Sequence, residues 1–311
     1  LPMLSPKPGF THFTVPGIAN YLLIGTRFAV GVLPPLTQLS DVYTLDVPFL
    51  DRLLLEHQTT SIEFTRPGCG YDNLLEMESL KLANTLTLGC GSFSPGVMDR
   101  WLPEYTQLHQ LTLSHVDTRF HVTSLAKLTQ LRVLQFNSSF LINVEMQYLT
   151  SLCNLHTLIL HSTNFHVDQF ELHSCTSFFD QLVTFEAQHG DSITPLVKHC
   201  HHLQHLKLAV FPDNTDAVLV ALSQCLELET IHASNLTLSS ENIDQICDLL
   251  TERTTLREVR FRDYTTLTPD YKRIVAMAKI WNNLRVLEFS SMKPPVDMED
   301  YSWLNENTNY Q

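Results

Sequence analysis

One spacing recurs along this chain and constrains its fold more than any other feature. An apolar residue, two residues of any kind, a second apolar residue, one residue of any kind and a third apolar residue occur in that order eleven times. From Ala83 onward, the successive first positions are 25, 23, 24, 27, 21, 25, 28 and 28 residues apart. A period of this length predicts a solenoid, in which each repeat packs only on its neighbours. The clearest copies are Leu108-Leu111-Leu113, Leu131-Leu134-Phe136, Leu155-Leu158-Leu160, Leu203-Leu206-Leu208, Leu256-Val259-Phe261 and Leu284-Leu287-Phe289.

The remaining copies are weaker but keep the same order. They are Leu182-Phe185-Ala187, Leu228-Ile231-Ala233, Ala83-Leu86-Leu88, Thr59-Ile62-Phe64 and Val42-Leu45-Val47. The last two apolar positions of each copy alternate as in a strand, so we expect them to point into the core while their neighbours face solvent. Each repeat therefore predicts one strand, and the series of repeats predicts a parallel sheet.

Between the strands the apolar spacing becomes helical. After Ser239-Ser240, a helix is predicted to begin at Glu241, where an acidic residue suits the helix dipole. Its buried face would hold Ile243, Ile246, Cys247 and Leu250. Thr268-Pro269-Asp270 is a second start signal, since a cap residue is followed by proline in the first turn. The stripe predicted there is Ile274, Met277, Ala278 and Trp281.

With these repeats, the sequence resembles the leucine-rich-repeat family over residues 42–290. The C-terminal half resembles the ribonuclease-inhibitor and F-box branch, because Cys200 and Cys225 each stand three residues before the first apolar position of a repeat. The resemblance implies an α/β horseshoe with a parallel sheet on its concave face, helices outside it, and a protein partner. The chain departs from the family where an asparagine ladder is expected, since Ser139, Thr163 and Phe211 stand there. No F-box helix bundle is predicted in residues 1–40.

The two ends of the chain differ from the repeats. Residues 1–41 contain six prolines and are predicted to form an N-terminal cap or the remnant of an upstream segment. Residues 42–290 form the predicted solenoid of about eleven repeats. Residues 291–311 lack the repeat and read as a polar C-terminal tail.

Charge and cysteine usage limit the partners and the compartment. The net charge of −13 argues against nucleic acid, which is bound by clustered Lys and Arg. No apolar run of roughly 18 residues predicts a membrane span. Seven widely spaced cysteines predict reduced thiols and an intracellular, cytoplasmic protein. Because the chain opens at Leu1-Pro2-Met3, an organellar matrix after removal of a presequence is the alternative.

Motifs for catalysis are missing from the sequence. It contains no G-x-S-x-G elbow, no P-loop and no GxGxxG turn, so we expect neither an enzyme nor a cofactor. Gly68-Cys69-Gly70 is interpreted as a turn between repeats rather than a reactive thiol. His199-Cys200-His201-His202 is interpreted as a buried cysteine between surface histidines, with zinc ligation as the alternative.

The candidate site is the outward face of the predicted sheet, where solenoids bind their partners. In the last triplet, Glu288 takes the outward position that Glu186, Lys207, His232 and Arg260 take in theirs. We interpret His161, His205 and His232 as ordinary polar contacts in a binding groove, with pH sensing as the alternative. The candidate residues are Glu63, Thr87, Thr112, Gln135, His161, Glu186, His205, Lys207, His232, Glu258, Arg260 and Arg262.

Two functions remain open from the sequence. The first is a non-catalytic adaptor that binds a protein on its concave face, such as an F-box-like substrate receptor or an inhibitor. The second is a structural subunit of a large multiprotein assembly, in an organelle or elsewhere. The proline-rich start and the polar tail are extensions of the kind that assembly subunits use.

Overall fold

The structure is a computed structural model that forms two compact units, Leu1–Leu155 and His156–Gln311. We refer to them as the N-terminal and the C-terminal unit and describe each by itself. The residues described are 13–14, 38–40, 47–56, 58–64, 71–89, 96–114, 122–137, 146–161, 176–188, 193–209, 214–262, 265–266 and 283–290.

In the N-terminal unit, parallel strands pair in chain order. They are β1 (Phe13–Thr14), β2 (Gln38–Ser40), β3 (Ser61–Phe64), β4 (Thr85–Gly89), β5 (Gln110–Ser114) and β6 (Val133–Asn137). The α-helices of this unit are α1 (Val47–Glu56), α2 (Glu78–Lys81) and α3 (Val97–Trp101). The remaining helical segments are 3₁₀-helices at Tyr71–Glu76, Leu102–Glu104, Val122–Lys127 and Met146–Ser151.

The C-terminal unit repeats this plan, and its last described helix has 13 residues. Its main strands are β7 (Thr157–His161), β8 (Thr184–Ala187), β9 (His205–Leu208), β10 (Thr230–Ser234), β12 (Glu258–Arg262) and β14 (Val286–Ser290), again parallel. A small second sheet pairs β11 (Thr237–Leu238) with β13 (Thr265–Thr266). The helices are α4 (Thr176–Asp180), α5 (Thr194–Val197), α6 (Thr215–Gln224) and α7 (Ser240–Glu252).

The apolar positions of the repeat form the core, as the sequence predicts. Leu86, Leu111 and Leu134 are register partners on neighbouring strands, and all three are fully buried. In the C-terminal unit, buried register partners on neighbouring strands are Phe185, Leu206 and Ile231. Buried and half-buried residues alternate along β3, β6, β7, β8 and β10, so one face of the sheet meets the core and the other does not. We call the second face the outer face.

Two backbone hydrogen bonds recur from repeat to repeat and fix this register. The N–H of the first apolar residue donates to the carbonyl three residues earlier, as from Leu108 to Tyr105 at 3.0 Å. Just after it, two successive N–H groups donate to one carbonyl of the preceding repeat. Asn84 and Thr85 share the carbonyl of Thr60 in this way, at 2.8 and 3.0 Å. Since main-chain groups make both bonds, the outward side chains are left to vary between repeats.

Helix α7 confirms the predicted helix in that region. The Ser239 hydroxyl accepts a hydrogen bond from the Asn242 N–H at 3.1 Å, so Ser239 is the N-cap. All members of the predicted stripe are buried, namely Ile243, Ile246, Cys247 and Leu250.

The triplet Val42-Leu45-Val47 predicts the wrong element. Val47 begins helix α1, and the strand that pairs with β3 lies earlier, at Gln38–Ser40. Pro48 explains the helix, because proline in the first helical turn removes no internal hydrogen bond, and Leu50 and Leu54 are buried one turn apart. The sheet therefore starts before residue 42, the predicted beginning of the solenoid.

Several sequence interpretations fall outside the described residues. They concern the second helix signal, the expected asparagine positions, the loop around Cys69 and the polar tail. The residues are Thr268, Pro269, Asp270, Ile274, Met277, Ala278, Trp281, Ser139, Thr163, Phe211, Gly68, Cys69, Gly70 and 291–311.

Candidate functional site

All twelve candidate residues lie on the outer face. In the N-terminal unit, Glu63, Thr87, Thr112 and Gln135 are register partners on four consecutive strands. In the C-terminal unit, a second row runs across β8, β9, β10 and β12; of the others, His161 lies on β7, His205 on β9, and Glu258 and Arg262 on β12. That row is Glu186, Lys207, His232 and Arg260.

The outer face of the N-terminal unit carries few charges. Gln135 donates from Nε2 to Oδ1 of Asn137 at 3.0 Å, and Asn137 donates from Nδ2 to Oγ of Ser114 at 3.1 Å. Thr112, which lies in register between Thr87 and Gln135, is only 7% exposed. Amide and hydroxyl groups both donate and accept, so this surface suits a polar partner of either charge.

The outer face of the C-terminal unit carries two charged clusters. In the first, the Glu186 cluster, His161 Nε2 lies 3.1 Å and Lys207 Nζ lies 3.2 Å from the same carboxylate oxygen of Glu186. Each contact joins neighbouring strands, so the cluster links β7, β8 and β9. His205, on the same face, contacts the Thr230 hydroxyl at 2.9 Å.

The second cluster, the double-glutamate cluster, consists of His232, Glu258, Arg260, Arg262 and Glu288. Glu258 lies between His232 Nε2 at 2.7 Å and Arg260 Nε at 2.5 Å. Glu288 accepts from Arg260 at 3.1 Å and from Nε and Nη2 of Arg262 at 2.9 and 3.0 Å. The two nitrogens of Arg262 reach the two oxygens of Glu288, which is the bidentate geometry that arginine favours. The pairs join β10, β12 and β14.

The neighbouring donor side chains in the two clusters favour the ionised form of Glu186, Glu258 and Glu288. The hydrogen bonds with His161 and Lys207 keep the pKa of Glu186 below its usual range. The hydrogen bonds from Arg262 do the same for the pKa of Glu288. For Glu258, partial burial opposes ionisation, but the hydrogen bonds from His232 and Arg260 outweigh it and lower the pKa. Each carboxylate is therefore charged and already neutralised by its neighbours.

The histidine-cysteine segment turns its side chains in different directions. Cys200 is buried, and its thiol donates to the Leu196 carbonyl at 3.3 Å. His201 and His202 are exposed and pair with Asp180 at 2.9 Å and Glu227 at 3.0 Å. Within the described ranges, no group of three or more His, Cys, Asp or Glu side chains is placed to hold a metal ion. The geometry therefore gives the zinc alternative no support.

Burial controls the chemistry of the described cysteines in the core. Desolvation raises the pKa of the Cys200 thiol well above its ordinary value and that of Cys225 to about 12. The Cys225 thiol donates to the Cys200 carbonyl at 3.0 Å, so the two cysteines connect successive repeats. Thiols in this state are poor nucleophiles.

The fold is that of leucine-rich-repeat proteins. The chain is similar to an internalin of Listeria monocytogenes, with a TM-score of 0.52 and 17% identity, covering 83% of this chain and 78% of the other. It is also similar to a leucine-rich-repeat protein of Leptospira interrogans, with a TM-score of 0.60 and 18% identity, covering 89% of this chain and 72% of the other. No protein-family model matches the chain, and neither does any curated protein. In the parts of the chain that the structure describes, no helix is long and apolar enough to cross a membrane.

Proposed function

We propose that the chain is a non-catalytic binding module that holds a protein partner on the outer face of its sheet. One observation carries the proposal: in each unit, polar and charged side chains stand in register on consecutive strands, at positions that the packing of the core does not use. Solenoids bind along such surfaces.

The F-box-like and inhibitor form of this function draws support from the C-terminal unit. Helices α6 and α7 are 10 and 13 residues long. Cys200 and Cys225 occupy the same buried position in consecutive repeats, which is the feature behind the resemblance to the F-box branch. We also propose an intracellular location, since Cys153, Cys200 and Cys225, in the part of the chain that the structure describes, take part in no disulfide.

The second candidate is a structural subunit of a large assembly. The exposed pairs His201–Asp180 and His202–Glu227 favour it, because they present polar and charged groups to solvent away from the strands of the outer face. A subunit of this kind would use its turns, helices or ends and leave the outer face open.

Purification of the tagged protein from its native cells, followed by mass spectrometry, separates the two candidates. The test variant is Lys207→Glu/Arg260→Glu on the outer face, and the matched control is Lys198→Glu/Arg285→Glu, with the same charge change at exposed positions off it. Thr184→Arg adds bulk to the outer face without removing an ion pair. We expect one dominant partner that both face variants lose and the control keeps. Several stoichiometric partners that no face variant affects would instead establish the assembly subunit.

A further inference from the structure

The charged groups on the outer face of the C-terminal unit differ in how far they reach into solvent. The side chains of Glu186, Glu258 and Glu288 are 24%, 25% and 25% exposed. Lys207 and Arg262, which pair with two of them, are 46% and 53% exposed. The carboxylates therefore lie recessed, and the tips that a partner meets first are cationic.

In both clusters each glutamate contacts two donor side chains, at least one of them on a neighbouring strand. The charge of each glutamate is therefore neutralised within the face. Arg260 and His232 are 33% and 34% exposed and add further donor groups beside Glu258. Because the carboxylates are recessed and engaged, an approaching anion meets the ammonium and guanidinium groups before it reaches the carboxylates, which would repel it.

Protruding cations matter in a chain whose net charge is −13. An anionic partner is repelled by the molecule as a whole and can approach closely only where cations protrude. We propose, building on the function proposed above, that the outer face of the C-terminal unit binds an acidic polypeptide segment whose carboxylates reach Lys207 and Arg262.

The spacing of the cations fits a peptide better than a nucleic acid. Lys207 lies on β9 and Arg262 on β12, with β10 between them, so two strand spacings of about 4.8 Å separate the strands that carry them. Of the three glutamates, Glu258 lies on β12 itself, and Glu186 and Glu288 lie on β8 and β14, the strands that flank this pair. A phosphate backbone, with one charge at each nucleotide, places phosphates against those glutamates, whereas a peptide can set its carboxylates apart with neutral residues. Thr184, Thr230 and His205 supply hydrogen-bonding groups for such neutral residues.

Fluorescence anisotropy with a labelled, end-capped peptide of alternating glutamate and serine tests the inference. The matched probes are the glutamine-serine peptide and a single-stranded thymidine oligonucleotide. We expect the glutamate peptide to bind, more weakly as salt rises, and Lys207→Gln/Arg262→Gln to weaken binding about tenfold. Lys198→Gln/Arg285→Gln removes two exposed charges elsewhere and should leave the affinity unchanged.

A folding control accompanies the double variant, because removal of Arg262 takes away the bidentate partner of Glu288. The single variant Lys207→Gln removes one exposed donor and should weaken binding about threefold with an unchanged unfolding transition. Equal binding of the glutamine peptide, or an equal loss in the control variant, would overturn the inference. Tighter binding of the oligonucleotide at the same residues would overturn it too and assign the face to phosphates.

The failure of this inference can be told apart from failure of the proposed function. If the native partner is lost in the Thr184→Arg variant while the glutamate peptide fails to bind wild type, the outer face binds a protein and the acidic chemistry is wrong. If the native partner survives every outer-face substitution and the peptide also fails to bind, both proposals fall.

Discussion

Tyr105 shows how a single residue adapts the repeat. It occupies the position, three residues before the first apolar residue, where other repeats have Leu128 or Leu152. Its side chain is fully buried, and its hydroxyl donates to the Leu75 carbonyl at 2.6 Å. Burial raises the pKa of Tyr105 far above its ordinary value, so the hydroxyl stays protonated and remains a donor.

We expect Tyr105→Phe to lower the free energy of unfolding by about 1–3 kcal/mol, because the substitution leaves the buried Leu75 carbonyl without this donor. Urea denaturation measured by circular dichroism tests the prediction. A Phe variant as stable as wild type would mean that another group replaces the hydroxyl.

The lowered pKa values of the outer-face glutamates predict how stability depends on pH. A carboxyl whose pKa is lower in the folded than in the unfolded state stabilises the fold above the unfolded value, about 4.3, and loses that contribution as pH falls through the folded value. Glu288, which Arg260 and Arg262 hold, is such a group. Its contribution is therefore present at neutral pH and disappears in acid.

We expect Glu288→Gln to destabilise the protein by up to about 1 kcal/mol near neutral pH and to match wild type once the carboxyl is protonated. Urea titrations at a series of pH values give this difference directly. Glu252→Gln, an exposed change at the end of α7, provides the control. A Glu288→Gln deficit that persists in acid would show that the side-chain shape, rather than the charge, matters.

At the scale of elements, the period of the repeat predicts the strands well and the connections less well. The two buried strand positions follow from alternation alone, and the helix after Ser239 follows from its cap and apolar stripe. The 3₁₀-helices at Val122–Lys127 and Met146–Ser151 do not, because short apolar spacings fit a 3₁₀-turn and an α-turn equally. The strand predicted through Val47 failed because proline and helical spacing there outweigh one alternating triplet.

The cap of α7 gives a test at this scale. Ser239→Ala removes the side-chain acceptor of the Asn242 N–H, so we expect a loss of about 1 kcal/mol in stability. Ser223→Ala, within α6, removes an exposed hydroxyl that bonds to the carbonyl three residues earlier and should not destabilise the helix. Thermal unfolding compares the two variants. Equal losses would argue against a specific role for the cap.

At the scale of the whole molecule, the sequence predicts which residues reach the outer face but not which of them pair. The alternation within each triplet points Glu186, Lys207, His232 and Arg260 outward. Because each of them stands between the second and third apolar positions of its triplet, they form one row across the strands. The pairing of Glu258 with His232, and of Arg262 with Glu288, depends on side chains that reach diagonally between strands. The repeat spacing and the numbers of charged residues do not predict these side-chain distances. The recessed position of the carboxylates is therefore known only from the structure.

The central claim is that a protein partner binds on the outer face, and crosslinking in native cells tests it most directly. A photo-crosslinking phenylalanine analogue is placed at Thr157 or Thr184, which are half-buried outer-face positions, or at Gln245, which is exposed on α7. We predict that one partner crosslinks from both outer-face positions and not from Gln245. A partner captured from Gln245 and from neither threonine would contradict the claim and assign binding to the helical side.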